Sequence, residues 1–135
     1  MAQILPKLIS LGTAVPPHRI TQADVLSILA EAKGQALPPR MAEILGNTGI
    51  SQRHIAMPPE YYFSARSWAG RARVYENTAA QMFEAAAAQA LARAGVKAAD
   101  IGQIVFVSTT GTMTPSLPSR MIASMGFAPD TRCVP

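Results

Sequence analysis

At 135 residues and 14.3 kDa, the chain has room for one domain and little more. Its 49% of apolar residues can build a core unaided, while a single cysteine, Cys133, excludes a disulfide framework and any multi-cysteine zinc or iron–sulfur site. A net charge of +4 is spread thinly: only Arg66, Arg71 and Arg73 approach a cluster, so the basic residues read as a solvated surface and no nucleic-acid partner is expected.

The first apolar stretch, Ile4 to Leu11, predicts a strand that ends at Gly12 and leads into a loop from Thr13 to Arg19 containing Pro16-Pro17. Pro6 and Lys7 interrupt that stretch, and no apolar run approaches 18 residues. Neither a membrane span nor a signal peptide is expected, and with one thiol the chain reads as cytoplasmic. Thr21 stands three residues before Asp24, followed by Val25, Ile28, Leu29 and Ala32 at helical spacing and then Gly34. Capping box and terminal glycine together predict a helix of about three turns. After Pro38-Pro39, residues Met41 to Leu45 predict a short helix, and Ile50 to Ala56 a strand.

Met57 to Arg73 shows no period of 2 or 3.6 and reads as an irregular surface excursion with room for a short helix. Asn77 to Ala94 repeats Ala79, Met82, Phe83, Ala86, Ala90 and Ala94 at helical spacing with alanine on the opposite side as well. This predicts a helix packed closely between layers and ended by Gly95. The continuous run Ile104-Val105-Phe106-Val107 predicts a parallel strand buried on both faces. A helix from about Ser116 to Met125 follows, ended by Gly126, and Arg132 to Pro135 begins another strand. The alternation is that of an α/β layer, and a chain that stops on entering a strand reads as a fragment.

Few residues offer chemistry. Cys133 has only Arg132 beside it to favour a thiolate, so a structural role is preferred. His18 and His54 lack metal-ligand spacing and a local acid, and the carboxylates form no pair suited to acid–base work. The hydroxyl cluster Ser108-Thr109-Thr110, before Gly111, is different because it stands at the carboxyl end of a predicted strand, where open α/β sheets bind ligands. The same residues could equally satisfy local backbone groups at a strand exit.

Several ordered motifs carry a resemblance. Gly12-Thr13-Ala14-Val15-Pro16-Pro17, Thr21-Gln22-Ala23-Asp24 and Thr48-Gly49-Ile50-Ser51-Gln52-Arg53-His54 resemble the opening of thiolase-fold condensing enzymes. Ile104 to Gly111, Thr114-Pro115-Ser116 and Met125 to Asp130, with Arg71 and Tyr75, are similar to the type III polyketide synthases, the chalcone and stilbene synthase family. The 3-oxoacyl-carrier-protein synthase III family shares the first motifs and is the alternative enzyme reading. A non-catalytic partner of a synthase is the alternative from another class.

The resemblance implies an α/β, thiolase-like fold with a mixed sheet, of which residues 1–135 are the amino-terminal half, ending before the expected nucleophile. It implies an acyltransferase that condenses an acyl-coenzyme A starter with malonyl-coenzyme A, with coenzyme A thioesters as substrates, no bound cofactor, no metal, and a homodimer at full length. Thr109 and Thr110 match hydroxyl residues of the acyl pocket. Thr114 matches a residue that crosses the dimer interface, usually methionine in plant members, and Arg40 matches a basic residue near the coenzyme A phosphates. None of the family's catalytic cysteine, histidine and asparagine falls on this chain, so Cys133 is not given the nucleophile's role.

Overall fold

The computed structural model describes residues 5–134 and divides the chain into two compact units, residues 15–74 and residues 5–14 with 75–134. In the first, strand β1 (His18–Thr21) pairs antiparallel with β2 (Gln52–Ile55), matching His18 to Ile55 and Thr21 to Gln52. Ile20, on β1, is the buried apolar side chain of this unit.

Helix α1 (Gln22–Lys33) follows β1 directly, and its start is set by chemistry on Thr21. The Asp24 amide donates to Thr21 Oγ1 at 3.1 Å while the Thr21 amide donates to Asp24 Oδ2 at 2.7 Å, closing the predicted capping box. Gly34, at φ +65°, ends the helix in the left-handed conformation that glycine adopts without steric cost. Helix α2 (Pro39–Gly46) begins on a proline and is two residues longer at its start than the Met41 to Leu45 reading.

Two expectations fail in this unit. The stretch from Thr13 to Arg19 is not loop throughout, because β1 starts at His18. The excursion from Met57 holds the short helix it left room for, a 3-10 turn at Pro59–Phe63, but it stops short of Arg73 because helix α3 (Trp68–Ala94) starts at Trp68. The signal for that start is Ser67, whose Oγ accepts from the Gly70 amide at 3.1 Å. Two arginines of the region lie on rings: the Arg66 guanidinium is 4.7 Å from the Tyr61 centroid and that of Arg71 is 5.7 Å from Trp68.

In the second unit, residues 75–94 of α3 are joined by β3 (Gln103–Val105), α4 (Leu117–Met125) and β4 (Arg132–Val134). β3 and β4 pair in parallel, Gln103 with Arg132 and Val105 with Val134, and the Phe106 amide extends the ladder to Val134 O at 2.8 Å. The core gathers around α4, where Leu117, Pro118 and Met121 of the helix and Phe127 just beyond its end are buried. Buried Thr131 donates to Ile101 O at 2.9 Å, so its hydroxyl costs nothing unsatisfied.

The predicted strand from Ile4 to Leu11 does not form over residues 5–11, and Ile4 lies outside the described residues. Residues 10–13 instead lie along α3: Ser10 Oγ donates to Ala90 O at 2.7 Å and Arg93 Nη1 to Leu11 O at 2.6 Å. A Cβ on Gly12 would fall on the Ala86 carbonyl oxygen and 2.9 Å from the Ala90 nitrogen, which explains both the glycine and the facing alanines.

Burial also departs from expectation. No residue of α3 is fully buried, and of the run expected at 104–107 β3 keeps only Ile104 and Val105, with Val105 65% exposed and Val107 82%, so the run is not covered on both faces. Parallel pairing supplies one neighbour strand, but burial of both faces requires covering layers, and none lies over Val105 or Val107 among the described residues. Pro135, placed in the last predicted strand, lies outside the described residues.

Candidate active-site segment

The loop from Phe106 to Ser116 leaves the carboxyl end of β3 and enters α4, and it carries Thr109, Thr110 and Thr114, the three predicted pocket residues. All three are exposed. The Thr114–Pro115 peptide bond is cis, and Ser116 precedes α4 without its side chain bonding a helix amide, its Oγ lying instead 2.9 Å from that of Ser119. Arg40, predicted to approach coenzyme A phosphates, is an exposed residue of α2 in the unit formed by residues 15–74.

What fixes the loop is a residue to which sequence reasoning gave no role. Tyr75, on α3, donates its hydroxyl to Ser108 Oγ at 2.8 Å, and the Thr110 amide approaches the same oxygen at 3.4 Å. The ring lies so close beneath Gly111 that a Cβ there would be 2.6 to 2.9 Å from three of its carbons. At 33 positions apart, Tyr75 and Ser108 leave no local signal for this pairing.

The next residue of α3, Glu76, pairs with Arg120 of α4 at 3.2 Å. Glu76, Asn77, Ala80, Met113, Leu117, Arg120 and Met121 line an open cavity of about 210 Å³ between α3 and the far end of the loop. Its lining mixes the ion pair with apolar Ala80, Met113, Leu117 and Met121.

Other chemistry-bearing residues are dispersed. Cys133 is half-buried on β4, opposite Ile104, and His54 holds Pro16 O at 3.0 Å through Nδ1. Among the described residues, no cluster of three His, Cys, Asp or Glu could hold a metal ion, and no helix is long and apolar enough to cross a membrane.

No family model matches the chain. Known proteins do. It is 37% identical over 123 residues to 1,3,6,8-tetrahydroxynaphthalene synthase from Streptomyces griseus, covering 90% of this chain and 33% of that protein. It is 34% identical over 123 residues to phloroglucinol synthase from Pseudomonas fluorescens, covering 89% and 35%. The crystal structure of 1,3,6,8-tetrahydroxynaphthalene synthase from Streptomyces coelicolor, a bacterial type III polyketide synthase, superimposes with a TM-score of 0.83 at 34% identity, over 93% of this chain and 37% of that one. The chain corresponds to the amino-terminal part of type III polyketide synthases.

It spans about one third of the length of the curated relatives it matches. The thiolase-like fold expected from sequence is the fold of these neighbours. Polyketide synthase PKS-I from the brown alga Ectocarpus siliculosus shares that fold at 22% identity, with a TM-score of 0.79. In this segment the loop at the end of β3 presents the exposed residues Thr109, Thr110 and Thr114.

Proposed function

We propose that the chain is the pocket-forming amino-terminal segment of a condensing enzyme that extends an acyl-coenzyme A starter with malonyl-coenzyme A. In the complete enzyme a cysteine thiolate takes the acyl group and releases coenzyme A. Malonyl-coenzyme A then loses carbon dioxide, and the resulting enolate attacks the thioester carbonyl, lengthening the chain by two carbons and freeing the thiolate. The nucleophile and its histidine and asparagine partners are assigned to the remainder of the enzyme, so residues 1–135 form part of one condensing domain and are inactive alone.

In this reading Thr109 and Thr110 line the acyl pocket, Thr114 reaches the pocket of a second subunit in a cytoplasmic homodimer, and Arg40 meets the coenzyme A phosphates. The observation that carries the reading is the 0.83 TM-score at 34% identity to a tetrahydroxynaphthalene synthase. The names of the two curated relatives point to a polyhydroxylated aromatic product.

The test is incubation of the full-length enzyme with labelled malonyl-coenzyme A and a series of acyl-coenzyme A starters. Release of labelled carbon dioxide with a chain-extended product is expected, and none from residues 1–135 alone. Turnover that requires carrier-protein thioesters would instead identify a 3-oxoacyl-carrier-protein synthase III-like enzyme. Cys133-dependent turnover by the short chain would restore Cys133 as the nucleophile.

A further inference from the structure

Of the seven residues from Ser108 to Thr114, five carry hydroxyls, a density that suits a ligand with several carbonyl oxygens better than a hydrocarbon tail. Ser108 differs from the rest in what surrounds its oxygen. A serine hydroxyl accepts two hydrogen bonds and donates one, and here both acceptor positions face donors: the Tyr75 hydroxyl at 2.8 Å and the Thr110 amide at 3.4 Å. What remains is the O–H itself, on an exposed side chain.

We propose that Tyr75 holds Ser108 as an outward-directed donor for a ketone oxygen of the growing polyketide chain, Ser108 being the substrate contact and Tyr75 its positioning residue. This rests on the reading of the loop as part of the acyl pocket and adds to it a contact that distinguishes keto-acyl chains from saturated ones. The arrangement is fixed from two sides. Hydrogen bonding holds the Ser108 oxygen, and the Tyr75 ring occupies the space beneath Gly111, so the loop cannot settle toward α3. Glu76, one residue on, joins α3 to α4 beyond the loop through Arg120. Holding a donor in place removes the entropy that a free hydroxyl would lose on binding.

The test compares acetoacetyl-coenzyme A with butyryl-coenzyme A, which share chain length and differ in the 3-ketone. Their dissociation constants are measured by calorimetry on the full-length enzyme, and condensation is followed separately. The wild type is expected to prefer the keto-acyl thioester by about three- to tenfold, the range that one hydrogen bond of ordinary net strength provides. Tyr75→Phe, which keeps the ring, and Ser108→Ala should each abolish the preference, and the double variant should lose no more than either single one. Ser108→Thr, which keeps the hydroxyl, should retain it.

A wild type that condenses malonyl units yet binds both thioesters equally would overturn this inference and leave the proposed function standing. So would a preference that survives Ser108→Ala. Binding of neither thioester, with no condensation, would overturn both.

Discussion

Residues 15–74 and the unit formed by residues 5–14 and 75–134 are held by different kinds of interaction. In the first, Ile20 is the buried apolar side chain, and order comes from directed contacts: the Thr21–Asp24 box, the left-handed Gly34, and a four-residue antiparallel register. In the second, Leu117, Pro118, Met121 and Phe127 form a small core, while Leu8, Val105 and Val107 remain in water. Local devices specify where elements start and stop without burying much surface. Packing, by contrast, specifies which distant residues meet, and it is packing of α3 that gives the hydroxyl loop its shape.

Five substitutions probe this contrast. The largest loss is expected for Leu117→Ala, since Leu117 is 1% exposed. Truncations of this kind cost about 2–5 kcal/mol. Leu117 borders the open cavity, so water can enter the space it vacates, and a value of about 3 kcal/mol is expected from urea unfolding. Ile20→Ala, on a two-stranded ribbon that can relax, should cost less. Equal losses would show that the two units are held by comparable cores.

Gly12→Ala comes next. Its methyl must displace backbone rather than a flexible side-chain end, and overpacking of this sort costs about 1–3 kcal/mol. The bonds from Ser10 to Ala90 and from Arg93 to Leu11 should loosen with it, raising amide exchange across residues 10–13. A stability unchanged by Gly12→Ala would mean that this segment does not lie against α3 in solution.

How much of this was legible depended on sequence distance. Both ends of α1 and the carboxyl end of α4 could be read because Thr21, Asp24, Gly34 and Gly126 act on neighbours within a turn or two. β1 could not, because Pro16-Pro17 signals a turn and its partner strand lies 34 residues on. The apolar runs at 5–11 and 104–107 announce a preference for burial, but burial belongs to the neighbours, which a strand's own residues do not encode. The hydroxyl loop was visible as Ser108-Thr109-Thr110 after an apolar strand. Its anchor, Tyr75, was visible only as a residue fitting the family.

Thr21→Ala should cost about 1 kcal/mol, the usual value of a helix amino-terminal cap. Its signature is regional: amide exchange should rise over residues 22–34 and stay unchanged over 117–127. A uniform rise across both units would indicate that the chain unfolds as one cooperative body and that the two units are not held separately.

The smallest effect concerns Asp24, whose carboxyl lies below its ordinary value of 3.8 because the Thr21 amide and hydroxyl both donate to it. A carboxyl that binds its proton less readily when folded favours the folded state once it is ionised. Its contribution is therefore complete at pH values above 3.8 and is lost as the pH falls through the lower folded value, because over that interval the unfolded chain binds more protons. Asp24→Asn retains a side-chain acceptor but cannot titrate. The difference in stability between wild type and Asp24→Asn should thus shrink as the solution is acidified below pH 4, and the α1 amides should report it. A difference that stays constant from neutral pH into that range would mean that the Asp24 charge takes no part in the capping box, leaving the Thr21 hydroxyl to start α1 alone.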